Sequence, residues 1–369
     1  MKIPYVDLPA QHAPLKAELL AALEGVLDRG DFILGGAVAE FEKRLAEYCG
    51  TKNAIGLNSG TDALFLVMKA YSIGPGDEVI TAPNSFLASA STIIAAGATP
   101  VFADIRPDLN IDPAEVAKAI TPRTKAIMPV HLTGRPADMD PLRALAKNHG
   151  LKIIEDAAQA IGAEYRGVKS GALGDAGCFS LHPLKTLNAC GDAGAVTTDD
   201  DALREALVEL RNIGLKNRNE SRRWGFNSRL DTMQAAVLNV KLNHLENWTR
   251  RRIANARRYC DGLRGVVAVP EPMSDARCVY HTFVIQTDRR DELQSALDAD
   301  GIGTGIHYPI PIHLQETAAP LGFKKGGFPV CEAASGRMLS LPVHQGLSDA
   351  DIDFVIARIE AFFSRVGAT

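Results

Sequence analysis

The chain has no long, uninterrupted apolar run. Its longest charge-free segment, 79–103, is broken by Pro83 and Pro100. It also carries Asn84, Ser85, Ser89, Ser91, Thr92 and Thr99, so it reads as buried strand, helix and strand rather than as a membrane span. The opening residues, MKIPYVDLPAQ, lack an apolar h-region, so no export signal is expected. Six cysteines occur, none in a CxxC pair, which removes support for zinc ribbons and redox motifs. Scattered thiols without a leader point to a cytoplasmic location. An excess of charge of one sign is also missing. Forty Lys and Arg stand against 44 Asp and Glu, so nonspecific capture of nucleic acid is not expected. Neither a 20–50-residue repeat nor a low-complexity tract is present. What remains is an ordinary globular composition, 46% hydrophobic and 23% charged over 369 residues. That length fits about two domains.

The segment 54–200 alternates short apolar runs with helical patterns. Strands are expected at 54–57, 78–82, 100–103, 125–130 and 152–155, then at 178–181 and 195–198. Helices are expected at 60–72, 85–96, 112–119 and 138–148. This alternation implies βαβ units and a mostly parallel sheet, an α/β fold. After Asp200 helical patterns cover 200–213 and 229–263, separated by a polar, basic loop. Strands at 266–269 and 281–286, a helix at 289–300 and a closing helix at 349–363 complete the chain. The reading is a large α/β domain over 1–250 and a small C-terminal α+β domain over 251–369.

Several residues could carry chemistry. Ser59-Gly60-Thr61-Asp62 follows a strand and opens a helix. Unpaired N–H groups there, with the Ser and Thr hydroxyls, make an anion cradle, although an ordinary N-cap has the same residues. Asp156 ends the strand LKIIED, where ligands of open α/β sheets gather, and could hold a cationic ring nitrogen. Alone it reads rather as a solvated cap. Gln159 falls three residues on. Lys185 lies among apolar, Pro and Gly residues, and partial desolvation would make its amine a better nucleophile. A snorkelling surface lysine is the plainer alternative. Phe86, after the strand EVITAP, could lie on an aromatic ligand or simply belong to the core. His307, Tyr308 and His313 cluster in GIHYPIPIH, which suits a rigid binding loop. No histidine or cysteine spacing matches a zinc site, so no metal is expected. Pyridoxal 5'-phosphate (PLP) needs a phosphate cradle, a Schiff-base lysine, an acid for the ring nitrogen and a stacking partner. The sequence offers all four.

The chain resembles the DegT/StrS family of PLP-dependent sugar aminotransferases, within fold type I. The stretches that carry the resemblance are NSGTDAL at 58–64, IEDAAQAIGAEYRG at 154–167, FSLHPLK at 179–185, GDAGAVTTDD at 191–200, GFNSRLDTMQAAVL at 225–238 and GIHYPIPIHLQ at 305–315. The resemblance implies that Lys185 holds PLP, Asp156 pairs with the pyridinium nitrogen and Gln159 bonds the ring hydroxyl. Phe86 would stack on the ring. Gly60, Thr61 and Ser180 would bind the phosphate, and Asn227 would reach it from the neighbouring subunit of a homodimer. His307, Tyr308 and His313 would lie near the sugar, with Arg229 a candidate for a carboxylate. The implied reaction is ping-pong transfer of an amino group from L-glutamate, released as 2-oxoglutarate, to a ketosugar, with a nucleoside-diphosphate-linked one expected.

Some elements depart from a single pattern. HPLK resembles members that aminate C4, whereas GDAGA, NSRLD and GIHYP resemble members that aminate C3, so C3 is the expectation. Thr133 and Arg135 stand where many members carry Tyr and Gln or His, and TLNACG at 186–191 replaces small Gly-rich residues. An unusual ketosugar such as an eight-carbon acid sugar is the alternative substrate. A PLP-dependent sugar dehydratase would carry His in place of Lys185. A regulatory, non-catalytic protein would not need Lys185 and Asp156 intact. A cysteine desulfurase would need a mobile catalytic cysteine, for which Cys331 is a poor candidate. The loop 214–229 holds five basic residues against one acid, which suits a small diphosphate better than a polynucleotide.

Overall fold

The computed structural model describes residues 2–366. Its centre is a seven-stranded sheet built from β1 (Asn53–Leu57), β2 (Glu78–Thr81), β3 (Thr99–Phe102), β4 (Thr124–Met128), β5 (Lys152–Asp156), β6 (Ala176–Ser180) and β7 (Gly194–Thr198), in the order β1-β7-β6-β5-β4-β2-β3. β3, β2, β4, β5 and β6 run parallel. β7 is antiparallel to both β6 and β1, so β1 again points the way of β6. Parallel strands are covered on both faces and need near-continuous apolar sequence. β2 accordingly has no exposed residue, and neither has the antiparallel β7, which lies inside the sheet. Helices Gly60–Ala70 and Asp201–Leu210 cover one face, where Leu66, Val67, Met68 and Leu207 are fully buried. Gly36–Cys49 and Thr232–Leu242 pack Phe41, Leu45 and Leu238 around Phe179.

The last third of the chain forms a smaller layer. Here β8 (Phe283–Gln286) pairs antiparallel with β9 (Met338–Leu341). Helices Leu245–Leu263, Arg290–Ala299 and Asp349–Val366 bury Tyr259, Leu293 and Ile352 against this pair. Ile3 joins that cluster and pairs in parallel with Ile302, so the start of the chain is stitched to its C-terminal third.

Most expected elements form within about three residues of their predicted ends. Two differ. The helical pattern 229–263 is two helices, Thr232–Leu242 and Leu245–Leu263. The break falls at Asn243–His244, where Asn243 N bonds Val240 O and His244 N bonds Lys241 O, the tightened turn of a helix end. The expected strand 266–269 shrinks to a single bridge between Ala268 and Gln286. Gly265, at φ 84°, turns the chain just before it, and Pro270 removes a donor just after. No helix among the described residues is long and apolar enough to cross a membrane.

Candidate active site

Because β1, β2, β5 and β6 point the same way, their carboxyl ends share one edge of the sheet. A cavity of about 380 Å³ opens there, a size ordinary for a small-molecule site. Gly60 and Thr61 line it after β1, Phe86 after β2, Asp156 at the end of β5, and Ser180 and Lys185 at and after β6. Gln159 lies on its wall, as do His307 and Tyr308 from the C-terminal third.

One end of the cavity is built from backbone. Ser59 caps the helix Gly60–Ala70, its hydroxyl accepting the Asp62 N–H at 3.1 Å. The N–H groups of Gly60 and Thr61 precede the first intrahelical bond, from Ala63 N to Ser59 O, and so have no helical acceptor. Side chains are excluded at this point. A Cβ on Gly60 would sit 2.6 Å from Ser180 Cβ, and one on Gly194 would sit 2.2 Å from the Ser59 carbonyl carbon. Open amides, a helix N-terminus and two hydroxyls nearby are the donor set of a phosphate cradle.

The other end carries the charge. Asp156 is buried, with Oδ2 accepting from Ser89 Oγ at 2.7 Å and Oδ1 from Ala158 N at 3.2 Å. Lys185 loses protonation tendency through burial, opposed by the Asp156 carboxylate. Its amine is thereby held nearer the nucleophilic state. Phe86 is 57% exposed, with its ring tilted 43° against Tyr308 at 5.8 Å. It is therefore no core residue and is open to a ring laid on it. A cradle, a buried acid, a desolvated amine and an open aromatic face fit PLP.

The wall from the C-terminal third supplies neutral rings. Burial first, and then the Lys185 charge, push His307 down to about 4 and His281 well below the ordinary histidine value. Both are neutral imidazoles at neutral pH. His307 Nδ1 meets Ser340 Oγ at 2.9 Å. Tyr308 is pushed up to about 12 by burial and then by Asp156, and its hydroxyl lies 3.4 Å from Gln159 Nε2. Gln159 Oε1 accepts the Thr133 N–H at 2.7 Å.

Three expected site residues do not line this cavity. His313 is buried beside Phe328, at 4.6 Å between centroids, with Nε2 3.1 Å from Glu332 Oε1. Its side chain is committed to packing. Arg229 donates to Asn212 Oδ1 at 3.1 Å. Asn227 is exposed and bridges Asn212 through the backbone.

Sequence reasoning missed other lining residues, among them Tyr5, Arg252, His281 and His344. Tyr5 stacks on His307 at 5.6 Å and 22°. Arg252 is 7% exposed and donates to the carbonyls of Tyr280 and His281, both at 3.2 Å. Burial, opposed by Tyr5, lowers it to about 10. A signal for it existed. In Leu245–Leu263 the buried residues are Leu245, Thr249, Arg252, Asn255, Ala256, Tyr259 and Leu263, so a charge interrupts a mostly uncharged face. Lys241 was missed for the same reason. It has no exposed surface, and its amine donates to Asn188 O at 2.9 Å and Oδ1 at 2.5 Å and meets His12 Nε2 at 2.8 Å. Asn188 Nδ2 in turn donates to Lys185 O at 2.8 Å, so a buried amine fixes the Lys185 loop.

Glu155, beside Asp156, serves the fold. It accepts N–H bonds from Gly171, Leu173 and Gly174 at 2.7–2.8 Å. His131 Nδ1 accepts from Ala137 N, which leaves Nε2–H to donate to Glu155 at 2.9 Å. Among the described residues no group of three His, Cys, Asp or Glu is placed to hold a metal.

Known proteins resemble this chain along nearly its whole length. The model of the DegT/DnrJ/EryC1/StrS aminotransferase family matches residues 14–360. A dTDP-3-amino-3,4,6-trideoxy-alpha-D-glucose transaminase of Streptomyces venezuelae is 46% identical, covering 99% of this chain and 97% of its own. A pleiotropic regulatory protein of Geobacillus stearothermophilus is 44% identical over 98% of this chain and 99% of its own. The crystal structure of S. venezuelae DesV in complex with a ketimine intermediate superposes with a TM-score of 0.96 at 46% identity, covering 98% of both chains.

Proposed function

Since the chain belongs to the DegT/DnrJ/EryC1/StrS aminotransferase family and is a sugar aminotransferase of fold type I, we propose that it uses PLP to move the amino group of L-glutamate to C3 of a nucleoside-diphosphate-linked ketosugar. The observation that carries this reading is Lys185 and Asp156 in one cavity with the open amides of Gly60 and Thr61. The 3-amino product named for the S. venezuelae relative favours C3. The name of the Geobacillus relative favours a regulatory second reading, against which stands the intact lysine and acid pair.

Gly60, Thr61 and Ser180 would hold the phosphate, and Phe86 and Gln159 would fix the plane of the ring. PLP, when bound, supplies a carbonyl that condenses with amines and a ring that withdraws electrons. Asp156, which accepts from Ser89 and Ala158, would pair with the ring nitrogen and sustain its positive charge. Lys185 Nζ, desolvated, takes and returns the proton at the carbon that bears the amino group. His281, His307 and Tyr308 offer hydrogen bonds without added charge on the sugar side. Arg252, which has no carboxylate partner among the described residues, is a cation open to an acidic substrate group.

We read residues 1–250 as the cofactor-binding domain, 251–369 as the smaller domain, and the location as cytoplasmic. The site is completed in a homodimer by Asn227 of the second subunit. Large exposed apolar residues around that loop, Ile213, Trp224 at 97% and Phe226, with Ile33 bridged to Asp231, support a covered face. Arg229 and the other basic residues of 214–229 then meet the diphosphate. The test is amination of paired 3-keto and 4-keto nucleotide sugars with glutamate, read by mass spectrometry, after borohydride has located the cofactor. Product from the 3-keto series and reduction on Lys185 are expected. Labelling at another lysine, or product only from 4-keto sugars, overturns the assignment.

A further inference from the structure

A second cavity, of about 600 Å³, lies where residues 106–109 and 133–135 of the large-sheet half face residues 264–271, 284–286 and Arg337. It shares no lining residue with the active-site cavity; Thr133 on its wall donates its N–H to Gln159 of that cavity. Its charged lining is uneven. Arg106, Arg135, Arg264 and Arg337 oppose only Asp108 and Glu271.

Two of these cations are occupied. Arg106 donates to Asp138 Oδ2 at 3.0 Å and Asp108 Oδ2 at 3.1 Å. Arg337 lies 2.8 Å from Asp288 Oδ1. The other two are not satisfied. Arg135 is 9% exposed and donates through Nη1 to the Glu271 carbonyl at 2.5 Å. Its Nε is buried without a hydrogen-bond partner, since the nearest acid oxygen, Asp108 Oδ2, is 3.6 Å away and already engaged by Arg106. Arg264 is exposed and makes no hydrogen bond or ion pair among the described residues. A buried donor left unpaired is costly unless a ligand or water meets it. Guanidinium forks match the oxygens of both phosphate and carboxylate, and two such cations suit the more highly charged phosphate. Val267, Val269 and Val284 give the rest of the cavity an apolar floor.

We propose that this cavity is a second binding site, for a phosphate-bearing small molecule recognised by Arg135 and Arg264. The site is independent of the catalytic cradle and joins the two halves of the chain.

The experiment is calorimetric titration of the PLP-saturated holoenzyme with inorganic pyrophosphate at low ionic strength, so that the catalytic phosphate cradle is already filled. One site per chain that depends on Arg135 and Arg264 is expected, beside any binding at the 214–229 loop proposed for the substrate diphosphate. Arg135→Gln and Arg264→Gln should each weaken it at least about tenfold, the loss of a charged hydrogen bond. Arg218→Gln, in the basic loop, should leave it unchanged. Because Arg264 is exposed, its variant decides the matter even if Arg135→Gln fails to fold. Absence of binding, or binding that ignores both substitutions or follows Arg218, overturns the proposal. Tighter binding of citrate than of pyrophosphate at the same two arginines overturns the phosphate assignment.

Discussion

Lys241 has no exposed surface, yet no carboxylate is bonded to its amine. Burial lowers it to about 8, and His12, facing it, is lowered in turn by burial and by the Lys241 charge. Cys190 is the other titratable group that acts on it. A lysine depressed in the fold but ordinary in the unfolded chain makes stability rise with pH between those two values, because only the unfolded chain then binds the proton. Thermal unfolding should therefore show a rise from about pH 8 to pH 10 that Lys241→Met abolishes. The substitution should also cost about 1–3 kcal/mol, because Asn188 loses its buried donor. Sequence reasoning found Lys185 and Asp156, because a charge at a strand end or among Gly and Pro stands out locally. It could not find Tyr5, which reaches the site through contacts far along the chain, the Ile3–Ile302 bridge and the His307 ring.

At the scale of elements, the sheet was legible because buried parallel strands write themselves as short apolar runs. The helix 229–263 was not legible as two, because its apolar periodicity runs across the turn at Asn243. Where β1, β6 and β7 meet, contact between backbones leaves no room for a side chain. Gly194→Ala would drive a methyl into the Ser59 carbonyl, and backbone cannot yield as a flexible side chain can. Overpacking of about 1–3 kcal/mol is expected, which is up to about a hundredfold in affinity if it falls on the cradle. Fluorescence titration of the apoenzyme with PLP should show that weakening. Gly336→Ala, with nothing within 4 Å, should bind normally. Equal affinities for both variants would remove the cradle from the argument.

At the scale of the whole molecule, Asn227 lies outside its own chain's cavity while Lys185 lies within it. If Asn227 serves the neighbour, Lys185→Ala and Asn227→Ala subunits complement each other. Each homodimer should be impaired, and the mixed dimer should recover about half of wild-type activity from its single intact site. Activity equal to the average of the parents would mean that Asn227 acts on its own chain or not at all. The cavity also has a plain division of labour. Groups proposed for the cofactor come from the sheet, whereas His281, Thr282, His307, Tyr308, Val343 and His344 come from the C-terminal third. On these proposed roles, the cofactor groups and the sugar-side rings lie in separate stretches of the chain. Exchange of the later stretch between relatives is then expected to alter which sugar is aminated more than the means of amination.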